Sequence, residues 1–314
     1  MRSDHQVLVT GGSGYIGSIL CEHLLDKGYK VTAVDNLMYK QSPLFHLCNN
    51  PNFEFVFGDA RDEKLISSLI KGVDVIIPLA AIVGAPACDL DPWMAKSTNF
   101  DAVKLINRLR SKNQLIIYPT TNSGYGTKSG DVYCTEETPL QPISLYGKTK
   151  SDAESELLAS SNTITLRLAT VFGMSPRMRL DLLVNHFVYA AVTDGYIVIF
   201  EKDFKRNYIH IRDVADCFIY CIEHSDKMIG RPYNVGLDEA NLSKEELALK
   251  VKEFVPNFYI HFSEVGSDPD KRNYIVSNQR LKDAGFVPKR SLEEGIKELI
   301  KGYQMIKRSR FKNI

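Results

Sequence analysis

The sequence has no apolar run long enough to span a bilayer and no charged leader before its first apolar stretch, Gln6-Val-Leu-Val-Thr10. Neither a signal peptide nor a membrane anchor is therefore expected, and a cytoplasmic location follows. Its six cysteines (Cys21, Cys48, Cys88, Cys134, Cys217, Cys221) include no Cys-x-x-Cys pair and have no histidine at metal-ligand spacing. No metal site is expected, and the cysteines read as reduced thiols; Cys217 and Cys221, four apart, suit one buried helical face. Neither sign of charge is in excess: 39 Lys and Arg stand against 38 Asp and Glu. No global field would draw the chain to nucleic acid or to an anionic membrane, so small, locally recognised partners are favoured. The basic tail Lys307-Arg-Ser-Arg-Phe-Lys312 reads as a solvated terminus. Repeats, low-complexity tracts and flexible linkers are also missing, which argues for interleaved lobes rather than beads on a string.

What is present is an alternation. Short apolar runs at Val7 to Thr10, Val31 to Asp35, Phe53 to Phe57, Val73 to Leu79, Gln114 to Pro119 and Ile164 to Leu168 are separated by helix-like stretches such as Ile16 to Lys27, Leu65 to Ile70 and Ser97 to Ser111. This rhythm predicts an α/β fold: a Rossmann-type, doubly wound parallel sheet with a smaller C-terminal α/β substrate lobe. At 314 residues both fit in one chain. The expected division is 1–170 for the dinucleotide-binding part, with later segments returning to it, and 171–314 mainly for the substrate lobe. Ligands in such sheets bind beyond the carboxyl ends of the strands.

Thr10-Gly-Gly-Ser-Gly-Tyr-Ile-Gly17 follows an apolar strand and opens an amphipathic helix. A plain glycine turn is one reading. The other is a phosphate site: Gly11 permits the tight turn, Gly14 the approach of a pyrophosphate and Gly17 close helix packing, with N–H donors at Tyr15 and Ile16 on the helix N-terminus. Asp35, ending the next run eighteen positions after Gly17, favours the second. A carboxylate there accepts both ribose hydroxyls and repels a 2′-phosphate by about 4 kcal/mol at ~4 Å and an effective dielectric near 20. No arginine follows immediately, since the chain continues Asn36-Leu-Met-Tyr39; NAD is the predicted cofactor.

Tyr146 and Lys150, in Tyr146-Gly-Lys-Thr-Lys150, are four apart at the start of a predicted helix and share its face. A neighbouring ammonium stabilises a phenolate, so the pair suits a general base; the spacing alone also occurs in surface pairs. Together with Gly58-Asp-Ala-Arg-Asp62, Leu79-Ala-Ala81 and Tyr118-Pro-Thr-Thr-Asn-Ser-Gly-Tyr-Gly126, these segments resemble the extended short-chain dehydrogenases/reductases of the nucleotide-sugar epimerase and dehydratase group, through nearly the whole chain. The resemblance implies Asp59 and Ala60 beside the adenine, Leu79, Ala80 and Ala81 along the pyrophosphate and nicotinamide ribose, and Asn99 in a structural role. It implies Thr121, Tyr146 and Lys150 as the proton path, with Lys150 also on the nicotinamide ribose. Pro78 stands where many relatives have histidine, a position not expected to be catalytic.

Sugar dehydratases of the group carry an aspartate and a glutamate directly after the threonine; here those positions hold Asn122 and Ser123. Neither is an acid, which disfavours elimination and leaves oxidation at C4. For the substrate, a nucleotide diphosphate sugar, the resemblance points to Thr121, Asn122, Ser123, Arg206 and Arg272, and Arg179 is a further candidate because guanidinium forks suit phosphate. Arg177 and Arg179 read equally well as a solvated pair. Thr170 replaces an asparagine that contacts substrate in many epimerases. The strings Ile77-Pro-Leu-Ala-Ala-Ile-Val-Gly-Ala-Pro86, Ser175-Pro-Arg-Met-Arg-Leu-Asp-Leu-Leu183 and Asn257-Phe-Tyr-Ile-His261 resemble the branch that oxidises C4 of a GDP-manno-heptose or related GDP-sugar for capsule polysaccharide. That branch implies a 4-keto product; a 4-epimerase uses the same residues, and a non-catalytic dinucleotide-binding protein is the remote alternative. A homodimer is expected, as in relatives, through the helices beginning near Ser97 and Tyr146. Ala102, Val103, Leu105 and Ile106 with Leu157 and Leu158 supply the apolar faces.

Overall fold

The computed structural model describes residues 5–127, 133–264 and 273–306. Five strands, β1 (Gln6–Thr10), β2 (Lys30–Asp35), β3 (Phe53–Phe57), β4 (Val75–Pro78) and β5 (Leu115–Thr121), join Thr163–Leu168 and Arg231–Val235 in one parallel sheet. In space the order runs 231–235, 163–168, β5, β4, β1, β2, β3. The order reverses beside β1, so a crevice opens beyond its carboxyl end, where Thr10 and the glycines lie.

Why these runs became strands is visible in their two faces. Val7, Val9, Val31, Ile77, Ile117 and Ile164 share one buried cluster with Ile19, Leu20 and Leu24 of helix α1 (Tyr15–Asp26) and with Val214 and Phe218 of Ile211–Glu223. Leu8, Val34, Ile76, Ile116 and Tyr118 point to the opposite face and meet Ile66, Val103, Ile106, Ala153 and Leu157. Side chains alternate with period two, and both faces are covered, as a doubly wound sheet requires. Cys217 and Cys221 are both buried on the 211–223 helix.

The stretch predicted as one helix from Ser97 to Ser111 is a π-helical turn, Ser97–Asp101, running into the α-helix Ala102–Leu109. The extra residue of that turn lets the fully buried Asn99 reach the 82 backbone: its Oδ1 accepts from Ile82 N at 2.8 Å, and its Nδ2 donates to Ile82 O at 2.9 Å.

The other described elements build a third cluster from Phe187, Val188, Leu247, Val251, Phe258, Ile296, Leu299 and Tyr303. They are contributed chiefly by the helices Leu183–Thr193, Lys244–Phe254 and Leu292–Ile306. Two small sheets flank them, 241–243 with 205–210 and 170–172, and 259–263 with 196–200. The strand 231–235, long after the expected boundary near 170, pairs with Thr163–Leu168 in the main sheet. Among the described residues no helix is long and apolar enough to cross a membrane. The basic tail and Arg272 lie outside the described residues.

Candidate active site

A cavity of about 840 Å³ lies over the carboxyl ends of β1, β2, β4 and β5. Its floor is the glycine-rich loop. Gly11 has φ +74°, and a Cβ there would sit 2.6 Å from Ala80 N; a Cβ on Gly17 would run into the Gly11 carbonyl. Side chains at these positions would force the loop, α1 and the 79–81 segment apart. Gly14 caps α1, whose first turn presents unpaired N–H groups toward the cavity. Gly11, Gly14, Tyr15, Ile16, Gly17, Asp35, Asn36, Asp59, Ala60, Leu79, Ala80 and Ala81 all line it. A cradle without side chains, a helix N-terminus and a carboxylate at the end of the neighbouring strand fit a dinucleotide.

Asp35 is held at both oxygens: Ser13 N donates to Oδ2 at 2.9 Å and Leu37 N to Oδ1 at 2.8 Å. Burial raises its carboxyl above the ordinary value, opposed by those N–H groups and by Arg177. That arginine corrects one sequence inference. No arginine follows Asp35 immediately in the chain, yet Arg177 arrives from the far side, its guanidinium 4.1 Å from the Tyr39 ring centre. The repulsion of a 2′-phosphate is thus partly screened. Asp59 is likewise engaged, accepting from Arg61 Nε at 2.9 Å and Nη2 at 2.7 Å, which holds its carboxyl below the ordinary range.

The helix Leu145–Leu158 begins at Ser144, whose hydroxyl accepts from Gly147 N at 3.1 Å. Its first turns carry Tyr146 and Lys150 into the cavity wall beside Thr121, at the end of β5, and Ser123. Thr121 Oγ1 lies 2.9 Å from Ser123 Oγ and accepts from Ser123 N at 3.1 Å. Lys150 is only 4% exposed, with Nζ 3.9 Å from the Tyr118 ring centre. Burial pulls its amine down to about 7, with Glu154 one turn later opposing.

A buried network fixes this helix against the Thr121 loop. Arg167 donates to Glu154 through Nε at 2.9 Å and Nη2 at 2.6 Å, and through Nη1 to Tyr125 OH and Glu136 O, both at 3.0 Å. Tyr125 OH donates onward to Asn234 Oδ1 at 2.7 Å. Such a network is costly when broken and rigid when complete.

Not every sequence candidate reaches the cavity. Asn122 is 1% exposed, does not line the cavity, and has no hydrogen-bond partner at either amide atom. Arg179 and Arg206 do line it. Arg179 forks onto Asp181, with Nε to Oδ1 at 3.0 Å and Nη2 closing on Oδ2. Arg206, 3% exposed, lies 5.7 Å from the Tyr274 ring centre. Arg177, His186, Lys244 and Tyr274 also line the wall. Arg177 was legible only as one of a solvated pair, and nothing in the sequence distinguished the other three.

The chain matches the model of the NAD dependent epimerase/dehydratase family over residues 7–236. It is 29% identical over 310 residues to the low-salt glycan biosynthesis protein Agl12 of Haloferax volcanii, covering 95% of this chain and 98% of that one. It is 28% identical over 316 residues to YtcB of Bacillus subtilis, described as an uncharacterized UDP-glucose epimerase, with 93% and 95% covered. Among solved structures, dTDP-glucose 4,6-dehydratase from Bacillus anthracis in complex with NAD superposes with a TM-score of 0.83 at 23% identity, covering 96% of each chain.

Proposed function

Because the chain belongs to the NAD-dependent epimerase/dehydratase family, we propose that it oxidises C4 of a nucleotide-activated sugar and releases the 4-keto sugar, the substrate being a GDP-manno-heptose or related GDP-sugar. The observation that carries this is the convergence of Thr121, Tyr146 and Lys150 on a cavity already shaped for a dinucleotide. NAD, when bound, accepts the hydride from C4. Tyr146 takes the C4 hydroxyl proton, Thr121 bridges the phenol and that hydroxyl, and Lys150 supplies the positive charge that stabilises phenolate. Arg179 and Arg206 serve the diphosphate, with Arg272 a further candidate. Elimination lacks its acids: Ser123 is an alcohol, and Asn122 is an amide held off the cavity wall.

A second reading, 4-epimerisation, has support from the likeness to a UDP-glucose epimerase. Mass spectrometry of products decides between the two. Incubation with a GDP-manno-sugar is expected to give a 4-keto product limited by bound NAD until a hydride acceptor is added. A C4-inverted sugar without free ketone, or turnover of UDP-sugars alone, would reject our first reading.

NAD is expected to bind more tightly than NADP. Changing Asp35→Ser together with Asn36→Arg removes the repulsion and adds a phosphate partner, so the ratio of dissociation constants should move toward NADP by about a hundredfold or more. Comparable constants in the unaltered chain would show that Arg177 outweighs Asp35.

The enzyme is further proposed to work as a cytoplasmic homodimer. Of the apolar residues on the two helices, Val103, Ile106 and Leu157 are spent on the sheet and Ala102 is buried, leaving Leu105 and Leu158 half-buried. Nearby, Trp93 is 71% and Leu90 90% exposed, a surface worth covering. Light scattering should give twice the chain mass at micromolar concentration; a monomer would reject the dimer.

A further inference from the structure

The glycine-rich loop and the arginine-bearing loop 173–182 are hydrogen-bonded to each other through buried side chains. Tyr15, the first residue of α1, is 6% exposed; its hydroxyl donates to Gly173 O at 2.7 Å and accepts from Asn185 Nδ2 at 3.1 Å. Ser175 Oγ donates to Tyr15 O at 2.9 Å and lies 2.9 Å from Ser18 Oγ. Asn185, fully buried, accepts from Gly173 N at 3.1 Å and donates to Arg179 O at 2.9 Å. Both ends of the stretch that presents Arg177 and Arg179 are thus referred to Tyr15, directly or through Asn185. Burial holds the Tyr15 phenol far above the ordinary tyrosine range, so it stays a neutral donor and is no rival base to Tyr146.

We propose that Tyr15 is a positioning residue that locks the arginine loop to the dinucleotide loop, so that a filled cofactor site and an ordered Arg179, the substrate arginine on that loop, are one state. The proposal rests on the nucleotide-sugar reading above. The backbone of Tyr15 stands at the helix N-terminus where a pyrophosphate would sit, and its side chain ends on Gly173. Anything that fixes that backbone also fixes the direction of the ring, and with it the loop that carries Arg177 at the Asp35 end and Arg179 at the Asp181 fork. Coupling of this kind is reciprocal: the nucleotide diphosphate should tighten NAD by the same factor by which NAD tightens it.

The test is calorimetric titration of the full-length chain with GDP and with UDP, each with and without saturating NAD. In the unaltered chain NAD is expected to tighten the better nucleotide about tenfold or more. In Tyr15→Phe that factor should fall to about twofold or less, because the ring still packs while both hydroxyl bonds are gone. Tyr303→Phe is the control for mere loosening: it removes a hydroxyl that donates to Asn185 O at 3.0 Å but bonds neither Tyr15 nor the 173–182 loop, and should leave the factor intact. If Tyr15→Phe does not fold, Ser175→Ala replaces it and should at least halve the factor. An undiminished factor in the folded Tyr15 variant (or in Ser175→Ala where it stands in), an equal loss in Tyr303→Phe, or no coupling in the unaltered chain overturns the proposal. A chain that binds neither GDP nor UDP at millimolar concentration overturns the nucleotide-sugar reading itself, and the proposal with it.

Discussion

Tyr146→Phe is expected to lower the rate of C4 oxidation by a factor of about 100 or more, while the dissociation constant for NAD changes by no more than about threefold. The ring of Tyr146 packs against a small buried cluster of Ile82, Cys88 and Ala95, and phenylalanine keeps that packing. What is lost is the one hydroxyl on the 145–158 helix that faces the cavity at the Thr121 end. Thr121 and Ser123 hydroxyls cannot replace it, because neither gives up a proton near neutral pH. The amine of Lys150, one turn along the same helix face and drawn down to about 7 by burial, is the base next in line. Residual turnover in the variant should therefore rise as pH passes through about 7 and vanish when Lys150 is also changed. Single-turnover formation of NADH from an authentic nucleotide sugar measures both effects. A near-normal rate in Tyr146→Phe would remove Tyr146 from the proton path.

The parts of the site that could be read in the sequence are those whose chemistry is local. A glycine loop between strand and helix, an acid at the next strand end and a tyrosine four residues before a lysine each depend on spacings along one element, and the sequence shows spacings directly. Most of the strand runs were legible for the same reason, being buried on both faces of the sheet; the edge run Phe53 to Phe57, where Phe57 is 70% exposed, showed itself by its aromatic and β-branched content instead. What could not be read depends on contacts between distant segments. Arg177 comes to Asp35 across 142 positions, as the residue numbers give, and Tyr15 bonds Gly173 across 158. Asn122 shows the converse failure. Its neighbour Thr121 turns to the cavity and it does not, because the chain leaves β5 in a tight 3-10 turn, Asn122–Tyr125, that alternates the side chains. The elements after residue 170 were the least legible, since several of them pack into a separate cluster rather than in a regular strand and helix alternation on the main sheet.

Lys150→Met should make the NAD-free protein more stable at the same time as it abolishes turnover, and the gain should depend on pH in a defined direction. An unfolded lysine titrates near 10.4, whereas burial beneath Tyr118 lowers the folded value to about 7. Below about pH 7 both states carry the proton, and the folded state bears the full cost of a buried ammonium. Between about 7 and 10.4 the unfolded chain binds the proton and the folded chain does not, so stability rises with pH through that window. The shift corresponds to a cost on the order of 3 to 5 kcal/mol, fully present below pH 7. Methionine has nearly the same length and no charge, and it keeps the contact with the Tyr118 ring. The variant should accordingly melt about 5 to 10 °C higher than the unaltered chain at pH 6, the difference shrinking toward zero by about pH 10. Thiols and phenols with raised values, such as Cys21 at about 12, titrate alike in both proteins and cancel from the difference. Differential scanning calorimetry at pH 6, 8 and 10 reads the effect. Equal melting temperatures at pH 6 would mean that the lysine is hydrated or paired in the free protein, and that the site does not store the electrostatic cost assigned to it.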